Sequence, residues 1–385
     1  MSNISEISDQ HCYGCGVCSI VCPGGANLRL DKDGYYKSQV NENECADCGK
    51  CLSICPYHSS PVEIKLSPSF VAYCKKREDV LASTSGGIAH EIASRYLELG
   101  YTIIGAAWSE DYKRVEHILV NDRAGLEQLR KSKNVQSYTP DAFSKIKSLE
   151  KVVVFGTPCQ IAGLRNLYGN REGMLLIDFD CMGPAGLGLW DKYVQYVNKL
   201  NTSGIKKLEM RYKKKSWMMY GIYIGYEDKK EYFQDKFHDP FCILYNVART
   251  IQNTCLEDCK FLNASMADLR IGDAWNYADD FGRQQVRDGL SLLTSQTERG
   301  NEVLNRISEK VVMMETVRVP NKKTSASYNA AIWESIRNPK DTIINALNIY
   351  NSVDIKTKLL RKVSYLLSAN DTVYLFIKKM LKKLK

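Results

Sequence analysis

Eight of the 14 cysteines lie within the first 55 residues, where they form two copies of one pattern. Each copy reads C-x-x-C-x-x-C-x-x-x-C-P, first in CYGCGVCSIVCP and again, 33 residues later, in CADCGKCLSICP. The cysteines are Cys12, Cys15, Cys18, Cys22, Cys45, Cys48, Cys51 and Cys55. This internal duplication constrains the start of the chain strongly, because it requires two short loops that each gather several thiol groups.

The spacing is typical of loops that bind iron–sulfur clusters. Three thiolates separated by two residues can occupy three corners of a cubane, while the fourth cysteine, followed by proline, ligates the other cluster. The sequence therefore predicts two [4Fe–4S] clusters, ligated by Cys12, Cys15, Cys18 and Cys55 and by Cys45, Cys48, Cys51 and Cys22. Gly14, Gly16 and Gly49 suit tight turns that need a small or positive-φ residue. A pair of structural zinc sites is the alternative, although zinc usually takes two C-x-x-C pairs per metal.

The composition indicates a soluble globular protein. A length of 385 residues suggests two or three domains, and 44% hydrophobic with 25% charged residues is an ordinary balance. No apolar run reaches the roughly 18 residues of a spanning helix, and the first residues lack both the basic start and the apolar core of a secretory signal. We therefore expect a cytoplasmic protein whose cysteines bind metal or do chemistry instead of forming disulfides.

The middle of the chain alternates short apolar runs with helical patterns, which predicts an α/β domain built on a largely parallel sheet. The expected strands are Thr102–Trp108, Val152–Gly156 and 174–180. The expected helices are 83–100, with Thr84 or Ser85 as N-cap, 125–133, and one from Pro158 to about Tyr168. The two glycines at 86 and 87 would leave backbone N–H groups open to a phosphate. An ordinary glycine-rich turn is the alternative.

Four further cysteines come from three separate segments. Cys159 is expected in the first turn of a helix, where the helix dipole favours a thiolate, and Cys181 follows a strand at its carboxyl end. Cys255 and Cys259 precede a strand that ends at Asp273. These thiols could converge on a third cluster, or they could be separate buried cysteines, which are common.

The N-terminal pattern resembles bacterial two-cluster ferredoxins over roughly residues 8–60. Residues 68–320 resemble the beta subunits of coenzyme F-420 hydrogenases and dehydrogenases, a family that also includes hydroxymethyl-chlorophyll reductases. The segments that carry this resemblance are TSGG at 84–87, SKNVQS at 132–137, FGTPCQIAGLR at 155–165, DFDCMGPAGLGLW at 178–190 and ADLRIGDAW at 267–275. Bacterial members of the family also carry the ferredoxin arrangement at their N-terminus.

The resemblance implies a flavoprotein with FAD that passes electrons between iron–sulfur clusters and a two-electron substrate. It also implies a third [4Fe–4S] cluster, ligated by Cys159, Cys181, Cys255 and Cys259. The residues implied around the flavin and its phosphates are Ser85, Gly86, Gly87, Ser132, Lys133, Gly156, Thr157, Pro158 and Gln160. No G-x-G-x-x-G follows a strand, so a nicotinamide site of the usual kind is not supported.

The predicted fold class is α+β and α/β. We expect a two-cluster ferredoxin domain over residues 1–65, an α/β flavin-binding domain over 66–320 and a helical tail over 321–385.

The predicted function is an oxidoreductase that passes electrons from a ferredoxin-like donor protein through the clusters to FAD and a small organic acceptor. The alternatives are a non-catalytic electron-transfer subunit of a larger redox complex and a coenzyme F-420 dehydrogenase or hydrogenase beta subunit proper. The sequence singles out no catalytic residue, although Lys133 is a better proton donor than His90, which falls inside a helical pattern.

The basic character belongs to the end of the chain. Residues 356–385 hold nine Lys or Arg and one acid, which leaves only about one of the nine net positive charges for the rest. Residues 371–385 form an amphipathic basic pattern that could contact an anionic membrane surface or an acidic partner. A helix packed on the body of the protein is the alternative. Nucleic-acid binding is not indicated, because no aromatic residues are interleaved with the charges.

Overall fold

The computed structural model describes residues 2–64, 67–322 and 329–353. Its strands are β1 (Ala26–Leu30), β2 (Tyr36–Val40), β3 (Val62–Glu63), β4 (Ser69–Cys74), β5 (Thr102–Trp108), β6 (Val115–Val120), β7 (Ser137–Tyr138), β8 (Val152–Gly156), β9 (Met174–Phe179), β10 (Ile205–Tyr212), β11 (Gly221–Tyr226), β12 (Glu231–Asp235), β13 (Ala264–Ser265), β14 (Leu269–Asp273), β15 (Ser291–Ser295) and β16 (Val311–Thr316).

Its α-helices are α1 (Val17–Val21), α2 (Lys50–Ser53), α3 (Arg77–Ala82), α4 (Ile88–Glu98), α5 (Arg123–Leu129), α6 (Pro140–Phe143), α7 (Pro158–Tyr168), α8 (Leu187–Leu200), α9 (Pro240–Cys242), α10 (Asn253–Glu257), α11 (Arg283–Asp288), α12 (Glu298–Ile307), α13 (Ala330–Arg337) and α14 (Ile343–Val353). Short 3-10 turns occur at Ile4–Glu6, Pro56–His58, Ile146–Ser148 and Trp275–Asp280, and a π-helical turn at Ile243–Val247. None of the described helices combines the length and apolarity needed to cross a bilayer.

A nine-stranded mixed sheet forms the centre, in the order β16-β4-β15-β14-β9-β8-β5-β6-β7. The strands β5, β8, β9 and β14 run parallel in its middle, and β8 is buried along its whole length. The mixed α/β character is thus as predicted, but the expectation of a largely parallel sheet is wrong at both flanks. There β5 pairs antiparallel with β6, and β14, β15, β4 and β16 pair antiparallel in turn. A tight connection such as that from β5 to β6 permits only antiparallel pairing.

Several predicted elements have the expected bounds, among them β5, β8 and α7. The helix predicted over 83–100 begins later, at Ile88, and its N-cap is Gly87 with φ +90°. Thr84 does not cap it, because its hydroxyl accepts a hydrogen bond from the backbone N–H of Ser132 at 2.9 Å. The helix predicted over 125–133 is α5, which starts earlier because the Asp122 side chain caps it by accepting from the Gly125 N–H.

The N-terminal module repeats one local structure. Gly16 and Gly49 occupy equivalent places in the two cysteine patterns, and they are the N-caps of α1 and α2 with φ of 80° and 73°. Gly14 also has a positive φ of 69°, so the expected glycine turns are confirmed. Because a side chain would strain this left-handed conformation, glycine lets the chain turn between successive cysteines.

This module lies tightly against the body of the protein. The Thr139 hydroxyl donates to the Cys15 carbonyl at 2.8 Å, and the Gln136 side chain accepts the Tyr36 N–H at 2.7 Å. Val17 of α1 packs against Gly163 of α7, where a Cβ would meet a Val17 methyl at 2.7 Å. Contacts thus cross the domain boundary expected near residue 65 at several points.

At the other end of the described chain, α13 and α14 pack against α8 in one hydrophobic core that contains Trp190 and Trp333. The ammonium of Lys192 donates to the carbonyls of Asn338 and Asp341 at 2.6 and 2.5 Å and holds this helix pair in place. The predicted amphipathic helix over 371–385 lies outside the described residues.

Gly163→Ala should test the close approach of the N-terminal module to α7. The added methyl overpacks against Val17, which typically costs about 1–3 kcal/mol and outweighs the roughly 1 kcal/mol that alanine contributes inside a helix. Urea unfolding under anaerobic conditions should show the destabilisation.

A double-mutant cycle with Val17→Ala supplies the control. Gly163→Ala should be less harmful in the Val17→Ala background, with a coupling energy of about 0.5–3 kcal/mol. Strictly additive effects would show that the two helices do not pack as described.

Candidate functional site

The first predicted set of thiols lines one small cavity. Its four members are Cys12, Cys15, Cys18 and Cys55, which surround a volume of about 20 Å³. Burial is the largest cause that raises the pKa of Cys55 to about 11; the thiolates of Cys12 and Cys51 act in the same direction, and a backbone hydrogen bond from Tyr57 opposes them. Such thiols stay protonated on their own, whereas a bound metal cation removes their protons and binds the thiolates.

The second set lies nearer the surface. Burial raises the pKa of Cys51, and the Cys22 thiolate adds to the shift. A Cβ on Gly25 would lie 2.8 Å from the Cys22 sulfur and 3.5 Å from the Cys45 Cα, so these segments are in contact. Cys48 is exposed to solvent. This set therefore reaches the surface at Cys48, while Cys51 is buried.

The third set is brought together from the three predicted segments. Burial raises the pKa of Cys159 to about 12 and that of Cys181 to about 11, and the Cys259 thiolate raises both. Burial also raises the pKa of Cys255, with additions from the other three thiolates. The structure thus places all four side chains near one another. The expected thiolate-favouring effect of the α7 N-terminus on Cys159 is outweighed by burial.

A buried ion pair fixes the frame of the third set. Asp178 of β9 and Arg270 of β14 have no solvent exposure, and two guanidinium nitrogens of Arg270 donate to the two carboxylate oxygens at 2.8 and 2.7 Å. Arg270 also donates to the carbonyls of Phe261 at 3.0 Å and Ala264 at 2.9 Å, in the loop that follows Cys259. The pair therefore ties this loop to the strand that leads into Cys181.

The three sets form a continuous series. After burial, the Cys159 thiolate is the largest cause of the raised pKa of Cys15, so the first and third sets are close. Burial and then the thiolates of its own set raise the pKa of Cys18, and Cys51 of the second set adds to them. The order is thus second, first, third. Within residues 2–64, 67–322 and 329–353, no three His, Cys, Asp or Glu side chains converge on a point that would hold a single metal ion.

The third set adjoins a cavity of about 330 Å³ at the carboxyl end of the central strands. Cys181 lines this cavity as well as belonging to the third set. Seven of the nine residues predicted around the flavin also line it, namely Ser85, Gly87, Ser132, Lys133, Gly156, Thr157 and Gln160. Gly86 and Pro158 are absent from the lining. The Gly86 N–H donates to the Ser291 hydroxyl at 3.0 Å, and Pro158 is buried in the first turn of α7.

The polar wall of the cavity includes Lys133. Its ammonium nitrogen donates to the carbonyls of Gln128 at 2.8 Å and Arg130 at 2.7 Å, and burial lowers its pKa to about 7. A neutral amine has two N–H groups, which these two carbonyls match, and its lone pair is left free to accept a proton. Lys133 can therefore exchange a proton near neutral pH.

His117 of β6, which was not predicted from the sequence, also lines the cavity. Its Nε2 lies 3.1 Å from the Phe155 carbonyl, and Nδ1 has no partner among the described residues. Burial lowers its pKa to about 4, so the ring is neutral at physiological pH, and Nδ1 is an acceptor if Nε2 donates to the carbonyl. A polar residue at an inward position of the strand VEHILV was the available signal. His90, which falls inside α4 as its helical pattern predicted, lines the cavity too.

Two families match parts of the chain. Residues 149–319 match the family that describes the C terminus of the coenzyme F420 hydrogenase/dehydrogenase beta subunit, and residues 7–59 match the 4Fe-4S dicluster domain. A curated relative from Methanocaldococcus jannaschii, named coenzyme F420-dependent sulfite reductase, is 29% identical over 330 residues, which cover 80% of this chain and 48% of the relative. The chain thus spans about half the length of that protein.

Among solved structures, a chain of the F420-reducing [NiFe] hydrogenase complex from Methanosarcina barkeri aligns with a TM-score of 0.47. The two chains are 17% identical, and the alignment covers 66% of this chain and 83% of the other.

Arg270→Met should destabilise the protein by about 3–5 kcal/mol, because it leaves the Asp178 carboxylate buried without its partner. Anaerobic urea unfolding measures this loss. Arg123→Met is the matched control, since Arg123 pairs with Glu98 at the surface and such pairs contribute about 0–1 kcal/mol. Equal effects of the two substitutions would contradict the role assigned to the buried pair.

Lys133 should make stability depend on pH. Between its folded pKa of about 7 and the ordinary lysine value of 10.5, the unfolded chain binds more protons than the folded one, so the free energy of unfolding should rise with pH in this window. In Lys133→Met this contribution should disappear, whereas the exposed Lys147→Met should retain it. Anaerobic urea unfolding from pH 7 to about pH 9.5 provides the measurement. If the free energies of unfolding of Lys133→Met and of the unsubstituted protein change with pH in parallel, the contribution assigned to Lys133 is refuted.

Proposed function

Since residues 149–319 match the coenzyme F420 hydrogenase/dehydrogenase beta subunit family and residues 7–59 match a 4Fe-4S dicluster domain, we propose that the chain is an iron–sulfur flavoprotein oxidoreductase. Bound [4Fe–4S] clusters would carry single electrons from a ferredoxin-like donor protein, and bound FAD would exchange an electron pair with a small organic substrate. The proposed organisation is a ferredoxin domain over 1–65, a flavin-binding domain over 66–320 and a helical tail over 321–385.

The observation that carries the proposal is the ordered series of thiols that ends at the cavity. The second set includes the exposed Cys48, the first set lies beside it, and the third set adjoins the first through Cys15 and Cys159. Cys181 belongs to the third set and to the cavity wall. A series with one end at the surface and the other at a ligand cavity suits a protein that transfers electrons to a bound substrate.

The thiols fit clusters by their chemistry and number. They occur in fours, and burial raises the pKa of several of them, among them Cys15, Cys55 and Cys159, so a bound metal stabilises a thiolate form that the protein alone does not. We assign Cys12, Cys15, Cys18 and Cys55 to the first cluster, Cys22, Cys45, Cys48 and Cys51 to the second, and Cys159, Cys181, Cys255 and Cys259 to a third.

The polar groups around the cavity support a bound flavin nucleotide. The N-terminus of α4 lines the cavity at Ile88 and Ala89, where the helix dipole favours a phosphate, whereas the Gly86 N–H already donates to Ser291. When protonated, Lys133 has one N–H beyond the two that its carbonyl partners accept, while the unpartnered Nδ1 of His117 supplies an acceptor. A volume of about 330 Å³ is at the lower end of the range for ligand pockets, so part of a dinucleotide would extend to the opening.

The relative named coenzyme F420-dependent sulfite reductase favours a second candidate function, in which a deazaflavin is the two-electron partner. Reduction or oxidation of coenzyme F420 by the purified chain, followed by its absorbance, distinguishes this candidate from the first. A chain that reacts with neither F420 nor any small acceptor would fit a non-catalytic electron-transfer subunit.

Anaerobically reconstituted protein should contain about twelve irons per chain if all three sets hold clusters, and an equimolar amount of FAD. Cys159→Ala should lower the iron content to about eight, because only the third set loses a ligand. Colorimetric iron analysis and the absorbance of released flavin provide both numbers.

Cys242→Ala is the control for this experiment. Cys242 is buried but lies outside the three sets, so the iron content of the Cys242→Ala variant should match that of the unsubstituted protein. Protein that contains zinc in place of iron, and no flavin, would refute the proposed function.

A further inference from the structure

A lysine lies buried at the junction of the N-terminal module and the body. Lys37 of β2 is 3% exposed. Its ammonium donates to the carbonyls of Asp9 and Cys12, both at 2.8 Å, and to the side-chain oxygen of Gln252 at 3.0 Å. An ammonium has three N–H donors, and these three acceptors take all of them.

None of these three acceptors carries a charge. Two are backbone carbonyls and the third is an amide, while the Asp9 carboxylate is already paired with Arg29. Within the part of the chain that the structure describes, the hydrogen-bond partners of the Lys37 ammonium are thus dipoles and not carboxylates. A buried charge usually has a carboxylate partner, so a lysine held only by dipoles suits a place where an anion binds.

Lys37 is hydrogen-bonded to a residue of the first thiol set and to a second residue that contacts the third thiol set. On one side, it holds the carbonyl of Cys12 in the first set. On the other side, it holds Gln252, whose Nε2 donates to the Cys255 sulfur at 3.2 Å in the third set. The same Nε2 lies 3.3 Å from the Tyr13 carbonyl, so Gln252 also contacts the module.

We propose that Lys37 and Gln252 form an electrostatic bridge that raises the reduction potentials of the first and third clusters; this inference rests on the proposed function. A [4Fe–4S] cluster with four thiolates is an anion, and one-electron reduction adds a further negative charge without breaking a bond. A nearby cation stabilises the reduced form more than the oxidised form. A hydrogen bond to a ligand sulfur acts in the same direction.

The geometry predicts a different effect for each residue. Lys37 donates to the backbone carbonyl of Cys12 in the first set and reaches the third set only through Gln252, so loss of its charge should lower both potentials, the first more. Gln252 donates to a sulfur of the third set only, so its loss should lower chiefly the third potential. The two residues lie 215 positions apart in the sequence, so the bridge exists only in the folded chain.

Redox titrations followed by EPR, on the full reconstituted chain, test the bridge. The signal that disappears in Cys159→Ala identifies the third cluster. In Lys37→Met the one-electron equilibrium constant of the first cluster should shift at least tenfold toward the oxidised form, which corresponds to 59 mV. Gln252→Leu should shift the third cluster in the same direction and leave the first close to its original value.

Three further variants separate charge from structure. Lys37→Gln keeps hydrogen-bond donors but not the charge, so its potentials should follow those of Lys37→Met. Lys37→Arg keeps the charge, so its potentials should stay close to those of the unsubstituted protein. Lys32→Met removes an exposed lysine of the same module and should change neither potential, because solvent screens that charge.

Unchanged potentials in iron-loaded Lys37→Met and Lys37→Gln would overturn the bridge while leaving the proposed function intact. The same holds if Lys37→Arg shifts the potentials as far as Lys37→Met does, since the effect would then follow structure and not charge. If the unsubstituted protein binds no iron after reconstitution, the proposed function is overturned, and the bridge with it.

Discussion

The ion pair between Asp178 and Arg270 holds together the part of the molecule where the thiols meet the cavity. Removing two charges from water costs several kcal/mol per ion, and such a pair is tolerated only when its remaining polar atoms are bonded. Here the Ser265 hydroxyl donates to Asp178 at 2.7 Å, and Arg270 donates to two carbonyls of the loop after Cys259. The cation also lowers the pKa of Cys181 and Cys259, against the larger effect of burial. One guanidinium thus orders the loop and favours thiolates.

Burial is the largest cause of the raised pKa of every thiol in the third set. A helix N-terminus contributes about 0.3–1 kcal/mol toward a thiolate, and the Thr157 hydroxyl and the Gln160 N–H assist it at Cys159. Those effects do not overcome desolvation together with the thiolates of Cys181 and Cys259, so the pKa stays near 12. The arrangement therefore suits a group that binds metal and not one that attacks a substrate as a free nucleophile.

The sequence predicted what depends on local spacing and missed what depends on distant contacts. Thr157 and Pro158 mark the start of α7, and this prediction agrees with the structure. The antiparallel flanks of the sheet depend on pairing partners that no local pattern identifies. Lys37 and Gln252 carried no signal either, because their contact joins residues 215 positions apart. His117 showed only as a polar residue in a strand pattern.

The distance between the first thiol set and the cavity is set by packing and not by a linker. Gln136 lines the cavity, and its side chain accepts from the Tyr36 N–H at 2.7 Å and donates to the Tyr13 carbonyl at 3.2 Å. Its backbone N–H donates to the Ala185 carbonyl at 2.9 Å. One buried residue therefore joins the cavity wall, the segment after Cys181 and the loop between Cys12 and Cys15. Movement of the module away from the cavity would leave these groups unpaired, at a cost of about 1–3 kcal/mol for each, so the separation of the first thiol set from the cavity is a property of the folded core.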